Sequence, residues 1–267
     1  MEKFVQWVRT IAGYIRKMNI PVYAAHASFF ITLSAFPMLL LLVSILRYAG
    51  ISVDALIHAL QGVIPEALIP FVKKQIQNAY QSTTGTLLSL SALVALWSAS
   101  RGIYGLRKGL NSVYQVAENR SWLYTRSISV GYTFAFLIVL FLTLILQVFQ
   151  AALSRFLFRN WAGWGSVVDL RFFLLLILQT AVFTAMYALL PNSRNKLAAS
   201  LPGGVFSSIG WMGLSDLYSR YVETFSGYAN IYGSVYALAL SMLWLYCCVC
   251  ILFLGGALNV YLAKKEL

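Results

Sequence analysis

Arg101 stands in LWSASRGIYGLRKGLNSVY, residues 96–114, within an apolar stretch that begins near Leu87. A guanidinium binds phosphate or carboxylate through two parallel N–H bonds. An arginine at such a place is therefore a candidate site for an anion. His26, Tyr187, Asn192 and Asn259 are the polar residues that the chain order could bring to the same side of a membrane, and with Arg101 they form a candidate polar cluster for an anionic ligand. A second reading stays open for two of them. Arg101 could snorkel to the nearby surface and act with Arg107 and Lys108 as a topology anchor, and His26 could be an interfacial ring. Asp216 and Arg220, four residues apart on one helix face, form a candidate intramembrane ion pair; a proton-coupling role for Asp216 is the sharper alternative.

Catalytic chemistry finds little material. The histidines are His26 and His58, and the carboxylates Glu2, Asp54, Glu66, Glu118, Asp169, Asp216, Glu223 and Glu266 are scattered. No HExxH, P-loop or dinucleotide-binding glycine pattern occurs, and two-metal nuclease chemistry would need clustered acids. Cys247, Cys248 and Cys250 in YCCVC read as small apolar packing residues rather than a soft-metal site. No catalytic residue, metal or cofactor is expected.

The elements that must position these residues follow from composition. At 60% hydrophobic, 10% charged and a mean hydropathy of +0.75, the chain is no ordinary soluble protein. A span needs about 20 apolar residues, and runs at 24–47, 87–106, 128–151, 171–190, 198–219 and 234–262 qualify. This predicts an all-α polytopic membrane protein with about six transmembrane helices in a single domain over 1–267. The run at 198–219 holds Pro202, Asp216 and many glycines and serines, so it should face protein neighbours that satisfy its backbone. Pro37 should kink the first span.

Residues 1–22 place Phe4, Val8, Ile11, Ile15 and Met18 at helical spacing beside Lys3, Arg9, Arg16 and Lys17. That pattern suits an interfacial helix on an anionic leaflet, and equally a helix packed on the rest of the protein. The segment 52–82 is too polar to cross and reads as short outer amphipathic helices interrupted by Pro65 and Pro70.

The net charge of +12 lies mostly beside the apolar runs, which makes it a topology signal and argues for no nucleic-acid partner. With the N-terminus inside, Lys3, Arg9, Arg16, Lys17, Arg101, Arg107, Lys108, Arg120, Arg126, Arg194, Lys196, Lys264 and Lys265 are cytoplasmic. They outnumber Arg47, Lys73, Lys74, Arg155, Arg159, Arg171 and Arg220 outside. Both termini are therefore expected in the cytoplasm.

Four ordered stretches, AAHASFFITLSAFPMLL (24–40), LWSASRGIYGLRKGLNSVY (96–114), YALLPNSRNKLAASLPGG (187–204) and YGSVYALALSMLWLYCCVCILFLGGALNVYL (232–262), resemble the BrkB/YihY family of bacterial inner-membrane proteins. The resemblance covers nearly the whole chain. It implies six membrane helices and a bacterial plasma membrane, but no settled activity: members once carried a ribonuclease label regarded as a misassignment, and others are linked to serum resistance or envelope-lipid transport. The chain departs from the family in LGGALN, where Ala257 stands in place of the usual glutamate. An acid there could have neutralised Arg101; without it, a lipid phosphate could take that role.

The expected function is transport or handling of an amphipathic or anionic substrate, a lipid-linked one included, with membrane lipids as partners. The alternative is a non-transporting scaffold for envelope assembly.

Overall fold

The computed structural model describes residues 18–48, 54, 57, 64, 66–82, 85–117, 127, 131, 170–193, 195–224 and 227–265. The third expected span, 128–151, and most of the N-terminal helix at 1–22 lie outside the described residues. Six α-helices carry the rest: α1 Ile20–Tyr48, α2 Ile69–Ser82, α3 Gly85–Tyr114, α4 Leu170–Leu189, α5 Leu197–Thr224 and α6 Gly227–Lys265. The protein is all-helical, and no β-strand occurs among the described residues.

The other five expected spans coincide with α1, α3, α4, α5 and α6, and all but α4, which ends one residue short at Leu189, run past the apolar run at both ends. In the segment 52–82 a 3-10 turn, Glu66–Leu68, leads into α2. Pro70 does not interrupt this helix; it sits in the first turn, where the missing N–H has no intrahelical partner to lose. The backbone N–H of Glu66 donates to Ser219 Oγ at 3.0 Å, and α2 packs on α1, so this segment caps one end of the bundle.

Helix α1 packs along α3, α4 along α5, and α5 along α6, while α6 also touches α1 and α3. The last helix thus joins two helical pairs. Its Val249, Leu252 and Phe253 share one core with Ala24 and Ala27 of α1, Leu106 and Leu110 of α3, and Phe183 of α4.

Helix α5 is inside out relative to a soluble amphipathic helix. Leu201, Ile209 and Leu217 are exposed, the last at 65%, whereas Ser207 and Ser208 are fully buried. In lipid, apolar burial drives little helix association, so small side chains and hydrogen bonds line the contacts and apolar ones face outward. By length and composition, Leu197–Val222 and Val235–Ala263 can each cross a bilayer.

Candidate functional site

The five residues proposed as one polar cluster fall into two groups. Tyr187, Asn192 and Asn259 join the ends of α3 to α6. Arg101 and His26 lie elsewhere, along the α1/α3 contact.

In the first group, Asn259 is buried on α6 and works as a bidentate amide. Its Oδ1 accepts from the Gly203 N–H at 2.7 Å; its Nδ2 donates to the Ser200 carbonyl at 3.2 Å and to the Tyr114 hydroxyl at 3.4 Å. Gly203 and Ser200 flank Pro202, which lacks an N–H and crowds the carbonyl of the preceding turn. Asn259 therefore satisfies backbone groups at the weak point of α5.

Tyr187 is fully buried near the end of α4. Its hydroxyl donates to the Leu252 carbonyl and shares a hydrogen bond with Ser207 Oγ, both at 2.6 Å, so α4, α5 and α6 meet at one oxygen. A step further out, Thr180 Oγ1 donates to Ser208 Oγ at 3.1 Å.

The α4–α5 connection is tied to the end of α3. The Asn192 N–H donates to Asn111 Oδ1 at 2.7 Å, and Asn192 Nδ2 donates to the Ala117 carbonyl at 2.9 Å. Helix α3 ends with Gln115 at a φ of 56° and the Val116 N–H bonded back to the Asn111 carbonyl, a left-handed cap built without glycine.

The second group begins with glycines. A Cβ on Gly102 would lie 2.7 Å from Ile31 Cγ1, and one on Gly105 would lie 2.5 Å from His26 Nδ1. Only glycine allows α1 and α3 this close. Arg101 points outward from the contact and is exposed; its guanidinium lies 4.9 Å from the Trp97 ring centroid and 5.5 Å from that of Phe30. Both distances are within cation–π range. Trp97 is one turn toward the start of α3, so the side chain folds along the helix rather than toward its far end. Thirteen residues, about 20 Å of helix, separate Arg101 from Tyr114, the point where α3 meets Asn259. That distance along the helix keeps the two groups apart.

The sequence reading missed several residues. Arg107, expected among the surface anchors, is 1% exposed and is the largest of the fully buried side chains among the described residues. Tyr114, Ser200, Ser207 and Asn111 carry hydrogen bonds that no spacing rule announced. No such signal existed for Arg107: Gly102, Gly105 and Gly109 share one face of α3 and meet α1 or α6, and Arg107 projects from nearly the opposite side of the helix.

Arg220 Nε donates to Asp216 Oδ2 at 3.0 Å, and both side chains are largely exposed. Asp216 is 19 residues, about 28 Å, along α5 from Leu197, roughly the thickness of a hydrocarbon core. An exposed i,i+4 pair contributes about 0.3–0.5 kcal/mol. Asp216→Asn and Arg220→Gln are each expected to move stability by less than about 0.5 kcal/mol, read as a midpoint of thermal unfolding in detergent. A large loss in either would place the pair in a drier environment.

A family model described as virulence factor BrkB matches residues 11–267. The chain is similar to a protein of Bacillus subtilis named ribonuclease-like protein YfkH, at 31% identity over 91% of this chain and 90% of that one. It is also similar to UPF0761 membrane proteins of Vibrio vulnificus (23% identical, 98% of this chain and 84% of the relative) and Vibrio parahaemolyticus (25%, 93% and 79%). No solved structure matches it.

Proposed function

The chain belongs to the BrkB family of membrane proteins, and from that premise we propose that it transports or handles an anionic, lipid-linked substrate. In this reading it is a multi-pass protein of the bacterial plasma membrane with both termini cytoplasmic, which is the orientation the basic residues favour. The ribonuclease-like name stays with the Bacillus relative; the scattered acids of this chain argue for a non-enzymatic role.

The observation that carries the proposal is the outward position of Arg101 on an apolar face. Phe29 and Leu33 of α1 and Leu93, Val94 and Trp97 of α3 are all exposed, and the guanidinium lies beside Trp97. An arginine at the centre of a membrane helix costs about 2.5–3.5 kcal/mol on insertion scales. An anionic headgroup alongside it offsets that cost, so the arrangement suits a substrate that approaches from the lipid.

The test is transbilayer movement of a fluorescent phosphatidylglycerol in vesicles of phosphatidylcholine and phosphatidylglycerol containing the purified protein. The protein is expected to accelerate movement, and Arg101→Gln to slow it about tenfold, the equivalent of about 1.4 kcal/mol. Movement no faster than in protein-free vesicles would overturn transport.

The scaffold reading has an observation of its own. Gly203 and Gly255 meet backbone to backbone, and the Tyr187 hydroxyl ties three helices together. Such packing favours a rigid α4–α6 unit, and a protein that retains lipid without moving it would fit the scaffold.

A further inference from the structure

We propose that the crease between α1 and α3 is a lateral binding site for an anionic glycerophospholipid, with Arg101 and Lys108 acting on one headgroup. The inference rests on the lipid-handling reading above and gives it a location, a second cation and a route of entry.

The site is built by spacing. Trp97, Arg101, Tyr104 and Lys108 recur at intervals of four, three and four residues, so they form one stripe along α3. Each cation lies over an aromatic face: Arg101 against Trp97 and Phe30, and Lys108 with its Nζ 5.0 Å from the Tyr104 ring centroid. Stacking uses the face of a guanidinium, and its N–H donors lie in the plane of the group. A phosphate alongside can therefore bind while the cation–π contact persists.

The two cations lie on one stripe. Arg101 rests on Trp97 and Lys108 on Tyr104, and seven residues correspond to about 10.5 Å of helix, so the two cations flank a space that one phosphate-and-glycerol headgroup can fill. Next to them the apolar surface continues through Phe29, Leu33, Val94 and Trp97, all exposed. Positive charge selects an anion, and the apolar rim selects one that carries acyl chains. A free phosphate ion would gain nothing from Leu33 or Val94. A choline headgroup would bring its own cation against Lys108, so phosphatidylglycerol should be held in preference to phosphatidylcholine.

The test is native mass spectrometry of the full-length protein in mild detergent, after incubation with phosphatidylglycerol or phosphatidylcholine. The proteins compared are wild type, Arg101→Gln, Lys108→Gln, the double variant and Arg220→Gln, a control cation at the far end of α5. Phosphatidylglycerol retention is expected to fall about tenfold in each single variant and on the order of a hundredfold in the double, as one or two charge-assisted contacts of about 1.4 kcal/mol each are removed. Arg220→Gln should behave as wild type, and millimolar inorganic phosphate should not displace the lipid. Should a glutamine variant fold poorly by its thermal midpoint, Arg101→Lys with Lys108→Arg keeps both charges and should retain the lipid.

Undiminished phosphatidylglycerol in the double variant, or equal retention of both lipids by wild type, would overturn the site. Displacement by inorganic phosphate would assign it to a soluble anion instead and so overturn the lipid. The two proposals fail separately: retention unchanged in the double variant, with transbilayer movement by wild type, removes the crease and leaves lipid handling. Retention lost in the variant, with no movement by wild type, leaves the crease as a scaffold's lipid anchor.

Discussion

Gly255→Ala is expected to cost about 3 kcal/mol or more, while the same substitution at Gly213 should cost nothing. The contrast lies in what a single methyl group meets. At Gly255 a Cβ would run into Ser207 Oγ and sit 2.6 Å from the Tyr187 hydroxyl and 2.7 Å from the Gly203 carbonyl oxygen. None of these can step aside cheaply: Ser207 and Tyr187 are bonded to each other and to α6, and the third obstacle is backbone. Overpacking typically costs about 1–3 kcal/mol, and obstruction by backbone belongs at or above the top of that range. Against a total of about 5–15 kcal/mol, such a loss separates α5 from α6 or unfolds the bundle.

Gly213 is exposed on α5 with nothing within 4 Å of a Cβ. Alanine there reduces chain entropy in the unfolded state and gains up to about 1 kcal/mol. Thermal unfolding of both variants in one detergent measures the difference. Equal midpoints would mean that α5 and α6 do not approach as closely as described.

The second large effect is expected at Asn259. Asn259→Leu keeps side-chain bulk but removes the acceptor for the Gly203 N–H and the donor to the Ser200 carbonyl. Both backbone groups belong to buried residues, and leaving each unsatisfied costs about 1–3 kcal/mol. Interhelical hydrogen bonds in membrane proteins average nearer 0.6 kcal/mol. Two ordinary ones would give a loss of about 1 kcal/mol, so a loss of about 3 kcal/mol marks Asn259 as the support of a damaged helix.

Pro202 provides the check, because it is the reason α5 needs help. With Pro202→Ala the bond to the Ala198 carbonyl is restored and the turn straightens, which lets the Gly203 N–H and the Ser200 carbonyl close on their own partners, Ala199 and Gly204. Asn259→Leu should then cost at least about 1 kcal/mol less. A double-mutant cycle on the unfolding midpoints measures that coupling. Additive losses would detach Asn259 from the proline and leave it an ordinary interhelical contact.

These residues also show how far a linear reading reaches. The run at 198–219 announces its need for polar neighbours, since Pro202 and its glycines and serines leave backbone groups that lipid cannot satisfy. The neighbour that answers, Asn259, is 56 residues further on, and nothing local to either segment pairs them. Tyr187 and Asn192 appear in the sequence as polar residues at the end of a span. Their partners Ser207, Leu252 and Asn111 emerge only when three other helices are docked against that end.

Arg101 marks a different boundary. Its presence, depth and cost follow from position along an apolar run, but the direction it faces does not. A helix in a membrane has apolar residues toward its neighbours and apolar residues toward lipid, so its rotation is weakly encoded in hydrophobic pattern. Arg107 and Lys108 make the same point one bond apart: adjacent cations in one motif, of which the first is buried and the second exposed.

The sequence by itself determined that the chain is all-helical, where five of its spans lie, and that it belongs in a membrane. Each of these follows from hydropathy and length, properties that a segment carries wherever it packs. The tertiary structure decided that Asn259 supports α5 at Pro202, that Tyr187 joins α4 to α5 and α6, and that Arg101 faces outward beside Trp97. Those outcomes depend on which small residues let two helices touch and on how each helix is rotated when they do. Rotation and partner choice arise from close packing between segments, and no single segment contains them.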